Sequence, residues 1–128
     1  MTVLAAPTLP GRLAISGPQP GVHVIAVHGA LDPVVSTRLV RLVDARIRLR
    51  EVGGASTRHI VLDLTAVDSA TLPAVETLAR AARTAEQHGL GLHLVGFDAV
   101  AGRLPAAARQ LVGRMSRYPD LGSALRSL

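Results

Sequence analysis

Two nearly continuous apolar runs, "HIVLDL" at 59–64 and "LGLHLVG" at 90–96, bracket a segment whose apolar residues recur at helical spacing. A strand with one wet face alternates apolar and polar residues, whereas runs like these suit strands covered on both faces. Between them, Leu72, Val75, Leu78, Ala79, Ala82 and Ala85 share one face of a helix. His88-Gly89 closes it, because glycine takes the left-handed closing conformation. Earlier in the chain, "RLAIS" (12–16) and "GVHVIAVHG" (21–29) read as a hairpin-like pair joined by the turn-rich "GPQPG". Asp32 can cap a helix whose first residue is Pro33 and whose inner face carries Val35, Leu39, Leu42, Val43 and Ile47, up to "GGAST" (53–57). A short Ala-rich helix over about 99–112, a short strand near "RYP" (117–119) and a last helix capped by Asp120 complete the chain. The order β-β-α-β-α-β-α predicts one α/β domain, a sheet with helices against it. Residues 1–11 read as a flexible arm and 12–128 as the domain.

Composition narrows the chemistry. A chain of 128 residues, 48% of them hydrophobic, is one domain's length and can bury roughly two thirds of its unfolded surface. Without cysteine there are no disulfides and no thiolate zinc sites, which fits a reducing compartment. The start, "MTVLAAPTLPGR", lacks a basic leader and is interrupted by Pro7 and Pro10. No run reaches the roughly 18 apolar residues of a membrane span, so a cytoplasmic protein without membrane insertion is expected. All fourteen basic residues are arginine, and the formal charge is +5. Nucleic-acid readers gather such charge on one face and add aromatics, yet Phe97 and Tyr118 are the only aromatic residues. Within the densest cluster, Arg38, Arg41 and Arg48 lie opposite the apolar positions of their helix, as a solvated face does. No nucleic-acid partner is expected.

Catalytic and ligand motifs fail on spacing. The five histidines show neither H-x-x-x-H nor H-E-x-x-H spacing, so no metal site is expected; His23, His28, His59 and His93 fall in or beside strands as structural residues, and His88 sits in a helix's last turn. The glycines of "GLGLHLVG" close a helix and form a strand, the reverse of a dinucleotide fingerprint, and a chain without lysine has no Walker loop. Ser69 lacks the flanking glycines of a nucleophile elbow. No cofactor and no enzymatic activity are expected. What remains is the polar joint "DSAT" (68–71) between the buried run and the helix opening with Pro73, where Thr71 is a credible cap.

This arrangement resembles the STAS domain, the family of anti-sigma-factor antagonists and sulfate-transporter tails, over about residues 12 to 127. The resemblance is carried by "GALD" (29–32), "IVLDLTAVDSATL" (60–72), "AEQHGLGLHLVG" (85–96) and "YPDLGSALRSL" (118–128), in that order and spacing. It implies an α/β fold, a small mixed β-sheet with helices packed largely on one side, and a protein that binds rather than catalyses. In the family the joint usually reads Asp-Ser-Ser-Gly, and its second serine is phosphorylated by an anti-sigma factor that is also a histidine-kinase-like serine kinase. Matched by position, the resemblance implies a partner-binding face of Asp32, Asp63, Asp68, Ser69, Ala70, Thr71 and Leu72. Here Ala70 replaces the second serine and Thr71 the glycine, which leaves Ser69 and Thr71 as the candidate phosphoacceptors. The expected function is anti-sigma factor antagonism by docking to such a kinase, without the usual phosphorylation switch. The alternative is a STAS accessory subunit of a transporter or lipid-transport complex; a homodimer stays open.

Overall fold

The computed structural model describes residues 11–53 and 56–128, so the expected N-terminal arm lies, apart from Gly11, outside the described residues. One five-stranded sheet is built from β1 (Arg12–Gln19), β2 (Val22–Leu31), β3 (His59–Ala70), β4 (Gly91–Val95) and β5 (Ser116–Tyr118). Its spatial order follows the chain, with β1 antiparallel to β2 and every later pair parallel. Each parallel step needs a crossover, supplied by α1 (Pro33–Glu51), by α2 (Leu72–Gln87), and by the segment holding α3 (Phe97–Val100), a 3-10 turn (Ala101–Arg103) and α4 (Ala106–Val112). Because right-handed crossovers in unreversed strand order all return over the same face, α1, α2 and α4 form one layer. α5 (Leu121–Ser127) is the exception and lies on the second face.

The period-2 alternation of β2 divides the core. Ile25 and Val27 point with Ile60, Leu62, Leu92 and Leu94 into the helical layer, where Leu39, Val43, Val75 and Leu78 meet them. Val22 and Val24 point the other way and pack with Val61 and Val95 against Ala124 of α5, flanked by Leu121 and Leu125. The two apolar runs are therefore covered on both faces, as expected for β3 and β4. α2 buries Ala74 and Ala81 in addition to its expected stripe, because it is flanked by α1 on one side and α4 on the other. Arg38, Arg41 and Arg48 are exposed, in line with a solvated face of α1.

Three boundaries differ from the sequence reading. β1 runs on through Gly17-Pro18 to Gln19, with a register shift after Ser16 that lets proline sit on an edge strand, so only Pro20 and Gly21 turn. The Ala-rich helix is three pieces. Leu104 is extended (φ −95°, ψ 143°), as a residue before proline prefers, and Pro105 starts a separate helix. The third difference concerns β3, which continues past Leu64 to Ala70 and so absorbs most of the expected polar turn.

At the end of β4 the chain turns at Gly96, whose left-handed φ of 78° opens α3. A side chain there would meet the Thr65 hydroxyl and stand 2.9 Å from its backbone, so β3 and this turn approach as closely as only glycine permits.

Candidate functional site

β2 and β3 end together. Their ladder runs to Leu31 opposite Ala70, and the Thr71 N–H donates to the Leu31 carbonyl at 3.1 Å. The next residue on each strand caps a helix. Asp32 accepts at Oδ1 from the Val35 N–H at 2.9 Å, and Thr71 accepts at Oγ1 from the Ala74 N–H at 3.3 Å. A proline stands in the first turn of each helix, where its missing N–H costs no intrahelical bond. Two capped helix N-termini thus lie side by side at the carboxyl ends of parallel strands, the edge where open α/β sheets place their recognition residues.

Asp68 reaches this edge through a register shift. Gly29 pairs with Val67 and Ala30 with Ser69, so Asp68 is the unpaired extra residue of a bulge and its carboxylate faces solvent. Ser69, half-buried, donates from Oγ to Asp68 Oδ1 at 3.2 Å. Ala70 packs its methyl against the core margin beside Leu72, with both side chains partly exposed. Arg103, which no sequence pattern pointed to, donates from Nη1 to the Val67 carbonyl at 3.0 Å and ties the 3-10 turn to the strand just before the bulge. The start of α1 adds a shallow groove of about 490 Å3 lined by Pro33, Val34, Thr37, Arg38 and Arg41, with Val34 61% exposed. Only Val34's place outside the apolar stripe of α1 could have singled it out from sequence.

The structure gathers Asp32, Asp68, Ser69, Ala70, Thr71 and Leu72 at this edge but leaves Asp63 behind. Asp63 lies five residues below Asp68, about 16 Å along a strand. Its Oδ1 accepts from the Thr65 N–H at 3.0 Å, next to a second register shift between Ala26 and His28 of the partner strand. The charges around the edge are mixed, Asp32 and Asp68 with Arg38 and Arg41 at the start of α1 and Arg103 at the Val67 carbonyl.

Among the described residues no group of three or more His, Cys, Asp or Glu is gathered to hold a metal ion, and no helix is long and apolar enough to cross a membrane. Two of the histidines expected as structural residues in or beside strands meet. His59 Nδ1 and His93 Nε2 are 3.0 Å apart on the second face of the sheet, and His93 Nδ1 is 2.6 Å from Ser116 Oγ.

A family model for the STAS domain matches residues 13–104, most of the chain and all of the edge just described. The chain belongs to the STAS domain family. Its fold is similar to that of an anti-sigma factor antagonist from Mycobacterium paratuberculosis, with 25% identity, a TM-score of 0.69 and 97% of each chain covered. It is also similar to the unphosphorylated anti-sigma factor antagonist SpoIIAA, at 10% identity and a TM-score of 0.66 over 91% of this chain and 96% of that one. A likeness to the murine Solute Carrier 26 family member A9 anion transporter, at 18% identity and a TM-score of 0.57, covers 85% of this chain but 18% of the transporter. No curated protein matches. In this STAS domain the segment after residue 104, with α4, β5 and α5, completes both faces of the sheet.

Proposed function

We propose that this STAS domain is an anti-sigma factor antagonist-like protein that docks an anti-sigma factor of the histidine-kinase-like serine kinase type, and so regulates sigma-factor-dependent transcription without being switched off by phosphorylation. The observation that carries this reading is the bulge in β3, which turns Asp68 out beside the capped starts of α1 and α2. Support comes from a similar fold that spans 97% of both this chain and a mycobacterial anti-sigma factor antagonist. The contact residues are Asp32, Asp68, Ser69, Ala70, Thr71 and Leu72; Asp63 shapes the strand beneath them.

The missing switch has a physical basis. Alanine at position 70 offers no hydroxyl, and phosphoryl transfer depends on in-line placement of the acceptor. The two neighbouring hydroxyls are engaged, Ser69 with the Asp68 carboxylate and Thr71 as the cap of α2. A γ-phosphate approaching Ser69 would also meet Asp68, a like charge.

Immobilised wild type is expected to capture the serine kinase from lysate of the source organism, and Asp68→Arg to lose about tenfold or more in affinity, since like-charge contacts across an interface cost several kcal/mol. With the captured kinase and ATP, intact mass should show no phosphate on wild type, Ser69→Ala or Thr71→Ala, and one on Ala70→Ser with weaker docking. Stoichiometric modification of wild type that vanishes in Ser69→Ala or Thr71→Ala would overturn the constitutive reading. Capture of a transport ATPase in place of a kinase would select the accessory-subunit alternative.

A further inference from the structure

On the opposite face of the sheet, at the other end of the strands, three polar side chains form a chain across β3, β4 and β5. His59 pairs in register with Gly91, and His93 with Ser116. Since His59's direct neighbour has no side chain, the His93 ring leans back over Gly91. The two rings then sit 5.1 Å apart between centroids and tilted by 45°. A methyl built on Gly91 would stand 2.9 Å from His93 Nε2 and 3.0 Å from His59 Nδ1, so the two nitrogens close over the Gly91 backbone and a larger residue there would push them apart. Ser116 Oγ lies 2.6 Å from the far nitrogen of His93, and Tyr118 packs at 5.8 Å from the same ring.

We propose that His59 Nδ1 and His93 Nε2 form a two-imidazole binding site for a divalent transition metal, with Cu2+ the preferred ion and Ni2+ next. In the metal-free pair one ring nitrogen donates a proton to the other's lone pair. A metal ion takes the place of that shared proton and accepts both lone pairs. The displaced proton moves to the outer nitrogen of the ring that carried it, so the rings stay neutral and their proton count is unchanged. With Nδ1 protonated, His93 donates to Ser116 Oγ and presents Nε2 to the metal, the supporting bond that metal-bound histidines generally make. With metal–nitrogen bonds of about 2.05 Å, nitrogens 3.0 Å apart subtend an angle of about 94°. That fits a cis pair in square-planar or octahedral geometry. The divalent affinity order places Cu2+ above Ni2+ and Zn2+. Among the described residues no third His, Cys, Asp or Glu is gathered beside the pair, and water completes the coordination.

The test titrates untagged full-length protein with CuCl2 near pH 7, following calorimetry and electron paramagnetic resonance. One equivalent should bind with nitrogen coupling from two imidazoles. His59→Gln and His93→Gln should each weaken it at least tenfold, while His23→Gln and His28→Gln leave it unchanged. Equal affinity in wild type, His59→Gln and His93→Gln would overturn the proposal. A wild-type spectrum with fewer than two coupled nitrogens would overturn it as well, and that readout does not depend on how either variant folds.

Discussion

At Asp32 a carboxylate oxygen accepts from the Val35 N–H at 2.9 Å, so the side chain that caps α1 also carries a charge on the proposed contact edge. Substitution separates the two roles. Asparagine caps as well as aspartate, so Asp32→Asn should melt within error of wild type and still bind the partner more weakly. Asp32→Ala should lose the cap too, at a cost of about 1 kcal/mol in chemical denaturation. Equal partner affinity in wild type and Asp32→Asn would remove Asp32's charge from the interface. The capping roles of Asp32, Thr71 and Asp120 were all readable from the sequence, since each precedes an apolar helical period by the required residue. Asp68 was readable as a polar residue in a joint and, by the resemblance, as part of the contact face. Its exposure follows from the pairing of Ala30 with Ser69, a choice made between two strands and not within either.

Among the elements, α5 departs most from a one-sided layering of helices. It closes the second face, with Ala124 fully buried over Val22, Val24, Val61 and Val95. Ala124→Asp would bury an unpaired carboxylate against these valines and should destabilise the fold by on the order of 3 kcal/mol, measured by urea titration. Ala106→Asp, on the exposed side of α4, should change stability by less than about 0.5 kcal/mol and serves as its control. β3 shows how an element outruns its local signal. "HIVLDL" ends at residue 64 because the apolar run ends there, yet the backbone stays paired with β2 to Ala70. Periodicity reports which side chains are covered, whereas a ladder is held by backbone groups that polar residues supply equally well.

For the molecule as a whole, His23 and His93 bring the pH of maximal stability into play. Burial is the first cause in both, followed by the positive charge of Arg46 at His23 and by His59 at His93, and each is held below its ordinary value of 6.5. Above that value both rings are neutral folded and unfolded, and neither contributes a pH dependence. As pH falls below 6.5 the unfolded chain takes up protons that the fold resists, so stability declines until the lowered folded values are passed. The melting temperature should therefore be level from about pH 7 upward and fall below pH 6.5, and His93→Gln should flatten that fall. An unchanged slope in the variant would place the proton uptake elsewhere. Seen from the sequence alone, the α/β class, the order of elements, three helix caps and the edge that carries "DSAT" were determined, because each rests on residues near in the chain that share one local geometry. The bulge that lifts Asp68, the Arg103 bond to the Val67 carbonyl, the separation of Asp63 from the edge and the meeting of His59 with His93 were decided only by the tertiary structure. The bulge and the histidine pair depend on register between strands, where a shift of one residue turns a side chain to the other face, and the Arg103 bond and the place of Asp63 depend on how far β3 runs and what packs against it.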